Sequence, residues 1–471
     1  MKAKITPYNK MHHLLPVLIL LSFSGCKKFV EIDPPINQIT SASAFSTDAT
    51  ATAAIVGIYS RLSQSGIIKD ITPYSSMYAD ELTNYTEGNA SEFAKSQLTL
   101  ANSPSLNALW SAGYQNIYPA NLAIEKLSQS ESLSPAVKTS LSAEAKFLRA
   151  YLYLQLSNLF GDLPLIEQTN YTQTSQLPST SRAQLLRFII SDLQEAATIL
   201  PDRVDPEKIR ANRWSAKALL ARAYLYDGQY QLAEKAASEV IESNKYSLAG
   251  DLNKVFLKNS TEAILQLYPT QANQNTLDGP SFLPATATET PKYYLTNSLL
   301  NAFEAGDLRK TAWISSRTFL GQTYYYPSKY KVINSAVLTE YQTILRLSEM
   351  YLIRAEALIQ QGQISAGIKD LNTIRKRARA GATSSLPNPL PDLSPGLNQT
   401  EALLAVEKER RMELMNEMGH RWIDLKRTGR AGAVLALLKP ATWKEYAINW
   451  PLPDEQLRLN SSLTQNEGYT K

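Results

Sequence analysis

The sequence predicts a mainly α fold: a tetratricopeptide-like scaffold of about four helix pairs, broken by long irregular, loop-rich insertions with a few short strands. Three observations lead there. Arg149-Ala150-Tyr151-Leu152-Tyr153 recurs as Arg222-Ala223-Tyr224-Leu225-Tyr226 and, more loosely, as Arg354-Ala355-Glu356-Ala357-Leu358. The second and third copies run on through Gly228 and Gly362 to small residues at Ala233 and Gly367. This is the order of a helix, a tight turn and a second helix that must approach the first closely. Finally, the copies stand 73 and 132 positions apart instead of the constant ~34 of an uninterrupted array. Insertions therefore separate the pairs, and the pairs must stack to bury their apolar faces.

The chain opens with Lys2, Lys4 and Lys10, an apolar run over 14–23, and Ser24-Gly25 before Cys26, the only cysteine. A basic n-region, a short h-region and a small-residue cleavage site make 1–25 a secretory signal peptide. The apolar run is about half the ~20 residues a membrane span needs. Residues 26–44 are Pro-broken and read as a tether. Residues 45–255 form an N-terminal helical part, with helices expected at about 45–62, 106–127 and 134–160 and an irregular insertion at 63–105. Ser134-Pro135 supplies a cap and a first-turn proline, Gly161-Asp162-Leu163-Pro164 a stop, and Pro119 a kink or a first turn. Residues 256–342 change character: Ala263-Ile264-Leu265-Gln266-Leu267 is strand-like, and aromatic residues are dense. A Pro-rich loop at 386–395 follows the third repeat, then helices at about 400–418 and 421–438. The segment 343–471 completes one globular unit with the rest.

Composition excludes several classes of function. The leader carries three of the 48 basic residues and none of the 43 acidic ones, leaving +2 for residues 26–471. The tightest basic cluster, Arg375-Lys376-Arg377-Ala378-Arg379, ends a helix, where cations complement the dipole. No basic stripe of the size nucleic-acid binding requires is present. With His12 and His13 in the leader, His420 is the lone mature histidine, which speaks against zinc sites and Ser-His-Asp catalysis alike. No metal site or cofactor is expected, although a structural calcium ion is left open.

The order of pieces resembles the SusD/RagB family of outer-membrane nutrient-binding lipoproteins. Ser22-Phe23-Ser24-Gly25-Cys26 is similar to a lipobox, followed by Asp33-Pro34-Pro35. Next come Leu109-Trp110 with Ala120-Asn121, then Glu144-Ala145-Lys146-Phe147-Leu148-Arg149-Ala150-Tyr151 and Phe160-Gly161-Asp162-Leu163-Pro164. The C-terminal half adds Leu345-Arg346-Leu347-Ser348-Glu349, Glu409-Arg410-x2-Glu413-Leu414, Arg421-Trp422-x-Asp424-Leu425 and Gln465-Asn466-x-Gly468-Tyr469. Met418-Gly419-His420-Arg421 departs from the Glu-Gly-x-Arg expected there. The resemblance implies acylation of Cys26 and an outer-membrane protein facing the cell exterior. It also implies a SusC-like TonB-dependent transporter as partner, a glycan or other nutrient as ligand, and no catalysis. In such proteins the helical half meets the barrel and the irregular insertions form the ligand face.

Sugar recognition needs flat aromatic faces with carboxylates and amides beside them. Tyr59, Tyr114, Tyr118, Tyr151, Tyr153, Tyr224 and Tyr226 fall on the helical repeats and are read as core. The ligand-binding candidates are the residues of the irregular stretches: Tyr74, Tyr78, Asp80, Glu81, Tyr85, Tyr293, Tyr294, Trp313, Tyr324 and Tyr325. Two alternatives stay open. A glycoside hydrolase would need two carboxyl groups ~5–9 Å apart across a sugar ring. Glu409, Glu413, Glu417 and Asp424, beside arginines on helices, are read instead as a structural ion-pair net. A protein–protein scaffold would offer a clean concave groove, which the insertions interrupt.

Overall fold

The computed structural model describes residues 1, 3, 41–86, 88, 90–286 and 288–469. The chain divides into two units, Met1–Ala44 and Phe45–Lys471. Of the first, apart from residues 1 and 3, only the single helical turn Ser41–Ala44 is described. The signal peptide, Cys26 and nearly all of the tether lie outside the described residues. Among those described, no helix is long and apolar enough to cross a membrane.

In the second unit we number the helices of eight residues or more. The first seven are α1 Asp48–Ser63, α2 Gly66–Tyr78, α3 Ser103–Gln129, α4 Pro135–Phe160, α5 Arg182–Ile199, α6 Arg213–Tyr226 and α7 Tyr230–Glu242. They are followed by α8 Leu347–Gln360, α9 Ile364–Ala378, α10 Gln399–Glu413, α11 His420–Arg427 and α12 Ala431–Leu438. The strands are β1 Leu82–Asn84, β2 Leu163–Pro164, β3 Ser179–Thr180, β4 Ala263–Leu267, β5 Tyr293–Leu295, β6 Ile314–Phe319, β7 Gln322–Pro327 and β8 Gln342–Arg346, and they form four two-stranded antiparallel sheets.

The repeats are helix pairs, as their sequences predict. α4/α5, α6/α7 and α8/α9 stack in that order, each helix against the next, and α3 with α1 and α2 adds a layer before them. Gly228 and Gly362 hold φ of 74° and 79° at the turns, a region where a side chain is strained. At Gly367 a Cβ would stand 2.6 Å from the Ala355 carbonyl oxygen, so helices α8 and α9 approach as closely as they do only because that position carries none. The repeated arginine ties each layer. Arg149 on α4 grips Asp192 on α5 at 2.9 and 3.0 Å, and Arg354 on α8 grips Asp370 on α9 at 2.7 and 2.8 Å. Arg222 reaches across to Glu349 of the next pair, at 2.6 Å to each oxygen. Both partners of that last pair are buried, a geometry in which charge-assisted fork bonds are strong.

Three expectations change. Residues 63–105 begin with a helix, α2, which runs through Pro73. Pro119 does not mark a first turn, since α3 continues across it for 27 residues in all, which leaves the kink of the two readings. The single helix expected at 421–438 is two, α11 and α12, separated by Gly429 at φ 68°. The 256–342 insertion, in turn, has a closed stem. Its first strand, β4, pairs with β8, with Leu265 opposite Leu345 and Leu267 opposite Gln342. The chain therefore leaves the helical array and returns to it at one place, and α7 packs on α8 as if no insertion intervened.

A layer of aromatic rings joins distant parts of the chain. Trp450 meets Tyr78 and Phe93 with ring centroids at 5.3 Å in both cases and Phe160 at 6.2 Å, and Tyr78 meets Trp422 at 4.7 Å. The Trp450 amide donates to the Leu159 carbonyl, and Asn466 Nδ2 donates to the Phe160 and Trp450 carbonyls. The segment after α12 is thus stapled to the end of α4.

Candidate functional site

The two insertions meet through β-pairing. β1 leaves the end of α2 and lies antiparallel to β5, with Leu82 opposite Leu295, Thr83 opposite Tyr294 and Asn84 opposite Tyr293. The Tyr85 amide continues the ladder, donating to the Lys292 carbonyl at 3.0 Å. The β6–β7 hairpin packs on β5 and sets Arg317 opposite Tyr324 and Ser316 opposite Tyr325.

At this junction three tyrosine rings gather. Tyr324 presents an edge contact to Tyr85 at 5.5 Å and to Tyr294 at 5.1 Å, the planes being 79° and 77° apart. Tyr85 is exposed, Tyr294 and Tyr324 are half-buried, and Tyr325, next along the strand, is exposed on the other face of the hairpin. Edge-to-face contacts of this kind fix ring orientation while leaving part of each ring free. Arg317, the cross-strand neighbour of Tyr324, donates to the carbonyls of Thr286 and Glu289 and so anchors the neighbouring loop.

The other candidates have structural employment. Tyr74 stacks on Phe93 at 4.3 Å with planes 10° apart and is half-buried. Tyr78 is fully buried, its hydroxyl donating to the Ala447 carbonyl at 2.7 Å. Asp80 is buried between Arg411 and Arg421, both at 2.8 Å. Burial alone would raise its pKa, but the two guanidinium groups hold it below the usual carboxylate range. Glu81 is buried and accepts from the Asn416 amide at 3.1 Å, and burial pushes it up to about 7. Tyr293 faces inward, against Phe282. Trp313 is completely buried, with Lys329 Nζ 4.4 Å from its ring centre. The period of two along a strand is the physical reason for the split: Tyr293 and Tyr326 point to the core, while Tyr294 and Tyr325 do not.

Trp313 sits instead in a buried ion-pair net. Arg309 binds Asp307, Glu409 and Glu413 at 2.7, 2.6 and 3.0 Å; Arg346 binds Glu262, Glu413 and Glu417 at 2.8, 2.6 and 2.8 Å. Arg377 joins Glu262 and Glu413. With Asp424 held by Arg410 and Arg427, the carboxylates read as structural in the sequence are structural here. Among the described residues no cluster of three or more His, Cys, Asp or Glu side chains could hold a metal ion.

The contribution of Arg317 has no local signal in the sequence. Only the hairpin register, which turns on Leu320-Gly321, would have placed it opposite Tyr324.

Comparison with known proteins fits this architecture. A family model described as "Starch-binding associating with outer membrane" matches residues 28–225, and a second, described as "SusD family", matches residues 301–469. SusD-like protein P38 of Formosa agariphila is 26% identical over 510 residues, covering 96% of this chain and 98% of that protein. The starch-binding protein SusD of Bacteroides thetaiotaomicron is 26% identical over 442 residues, covering 73% and 75%. A SusD superfamily crystal structure from Bacteroides vulgatus superposes with a TM-score of 0.78 at 19% identity, covering 90% of this chain and 100% of that one. Another, from Bacteroides thetaiotaomicron, gives 0.74 at 24% identity, covering 89% and 99%. Two family models that between them match 28–225 and 301–469, relatives matched over nearly their whole length and a shared helical-repeat fold agree: the chain belongs to the SusD/RagB family.

Proposed function

We propose that this protein is a non-catalytic glycan-binding lipoprotein of the outer membrane. It is anchored through Cys26, faces the cell exterior and delivers ligand to a SusC-like TonB-dependent transporter. The observation that carries the reading is the Tyr85–Tyr294–Tyr324 cluster, where both insertions converge on partly open rings. The family description and the relative named for starch binding support a glycan as ligand. The stacked helix pairs offer the transporter a rigid face.

A hydrolytic role finds less support. The carboxyl groups that burial pushes up to about 7, Glu81 and Asp278, are both enclosed, whereas a general acid must reach the glycosidic oxygen. The test is calorimetric titration of the protein with maltoheptaose, laminarihexaose and xylohexaose. Tyr294→Ala with Tyr324→Ala should weaken binding at least tenfold, about 1.4 kcal/mol, with no reducing sugar released. Release of sugar, or affinity untouched by the double substitution, would sink the proposal.

A further inference from the structure

A second cavity, of about 420 Å³, shares no residue with the tyrosine cluster. Its size is within the ~300–1,000 Å³ of small-molecule sites. Three segments wall it: the middle of α3, the loop after β2, and residues 456–463. Trp110 and Tyr114 line it from within, while Tyr118 and Tyr171 are 52% and 79% exposed. None of its described lining residues is charged, in a chain where 19% of residues are.

The walls are fixed before any ligand arrives. Tyr114 donates its hydroxyl to the Pro164 carbonyl at 2.8 Å, and Asn121 and Tyr153 donate to the Ile166 carbonyl at 2.7 and 2.9 Å. The Glu125 carboxylate accepts from the Thr169 amide and hydroxyl at 2.7 and 2.6 Å. On the third side, Gln456 donates to Asn107 at 2.9 Å and Asn460 to the Leu177 carbonyl at 2.8 Å. A wall held in this way loses little freedom on binding.

Free polar groups share the lining with the rings. The side chains of Gln115 and Gln168, both on the lining, are exposed and have no hydrogen-bond partner among the described residues. Pro119 has no N–H to offer the carbonyl four residues back, which is that of Gln115. A charged ligand would find no counter-charge here, and a wholly apolar one would leave the amides unmatched. Hydroxyls, which both donate and accept, match amides, and the C–H face of a sugar matches a tyrosine ring. We infer that this cavity is a second carbohydrate site, taking a short stretch of a neutral oligosaccharide. Tyr118 and Tyr171 are its stacking faces, and Gln115 and Gln168 its hydroxyl partners.

The test uses the full chain purified in detergent, titrated with maltoheptaose, laminarihexaose and xylohexaose. The Tyr294→Ala/Tyr324→Ala background silences the first site. On that background at least one oligosaccharide should still bind, and adding Tyr118→Ala with Tyr171→Ala should weaken it tenfold or more. Tyr118→Trp with Tyr171→Trp should keep it. Both tyrosines are exposed, so the fold should survive, which unchanged circular dichroism and melting would verify. Absence of residual binding, or residual affinity unchanged within twofold, overturns the inference. So does loss of a co-purifying membrane protein with sugar binding intact, since the cavity would then be a protein contact. If instead the first pair of substitutions has no effect and the second abolishes binding, this site stands and the tyrosine cluster does not.

Discussion

At the scale of single residues, His420 shows how burial sets chemistry. It begins α11, is almost fully buried, and its Nδ1 has no hydrogen-bond partner among the described residues. Burial lowers its pKa to about 4; Glu349 and Asp424 pull the other way, and Arg222 and Arg410 add to the lowering. The imidazole thus holds a proton less readily in the folded chain than in the unfolded one, where the value is about 6.5. Its contribution is complete above that value and is lost as the pH falls towards 4, by up to about 3 kcal/mol. Glu413 titrates in a separate window. Burial would raise it, but Arg377, Arg346 and Arg309 hold it well below the usual range, so its stabilisation is lost only on further acidification. Glu81 and Asp278, which burial pushes up to about 7, gain stability over that same range, so the histidine is read by difference: from pH 7 to 4.5 the urea midpoint of the wild type should fall relative to that of His420→Gln. An unchanged slope in the variant would show that the histidine does not contribute. That His420 is no catalyst could be read from its isolation in the sequence. That it is buried among two arginines and two carboxylates could not, because those partners come from α6, α8, α10 and α11.

Among elements, the helix pairs were legible and the sheet pairings were not. A helix turn with its glycine and small-residue contact is written within ~34 residues, and Gly228, Ala233, Gly362 and Gly367 behave as that spacing requires. β1 and β5, by contrast, pair across nearly half of the chain, and nothing near Thr83 announces Tyr294. Which tyrosine of an adjacent pair faces out depends on strand register, so adjacency alone could not separate Tyr294 from Tyr293. Tyr118 was misplaced for a related reason. The helical repeat implies a core position, but the chain that covers the rest of α3 leaves this residue uncovered. The β6–β7 turn offers a direct test. Leu320 and Gly321 both have positive φ, 48° and 79°, as a tight two-residue hairpin turn requires. Leucine is strained there by roughly 1 kcal/mol, and Leu320 is 89% exposed, so little packing offsets the strain. Leu320→Asn should stabilise the hairpin by about 0.5–1 kcal/mol, read as slower amide exchange in 314–327. Faster exchange would mean that the leucine makes a contact the turn depends on.

For the whole molecule, the ion-pair net is the joint between scaffold and insertion. Arg309 and Lys329 come from the insertion; Arg346, Arg377, Glu409 and Glu413 come from β8, α9 and α10. Arg309→Leu would leave Asp307, Glu409 and Glu413 buried with fewer cations, and a broken buried pair costs about 3–5 kcal/mol. Urea unfolding should shift accordingly, and a loss under 1 kcal/mol would show the net to be redundant. The aromatic layer around Trp450 carries a different consequence, in time instead of energy. Its rings come from positions 78, 93, 160, 422 and 450, so no partial chain can complete it. Contacts this far apart in sequence slow folding, because long loops must close before they are rewarded. A chain appearing N-terminus first would therefore leave this layer unfinished until nearly all of it had emerged. Such a delay suits a protein that, on the function proposed above, must be threaded through membranes before it takes its final shape.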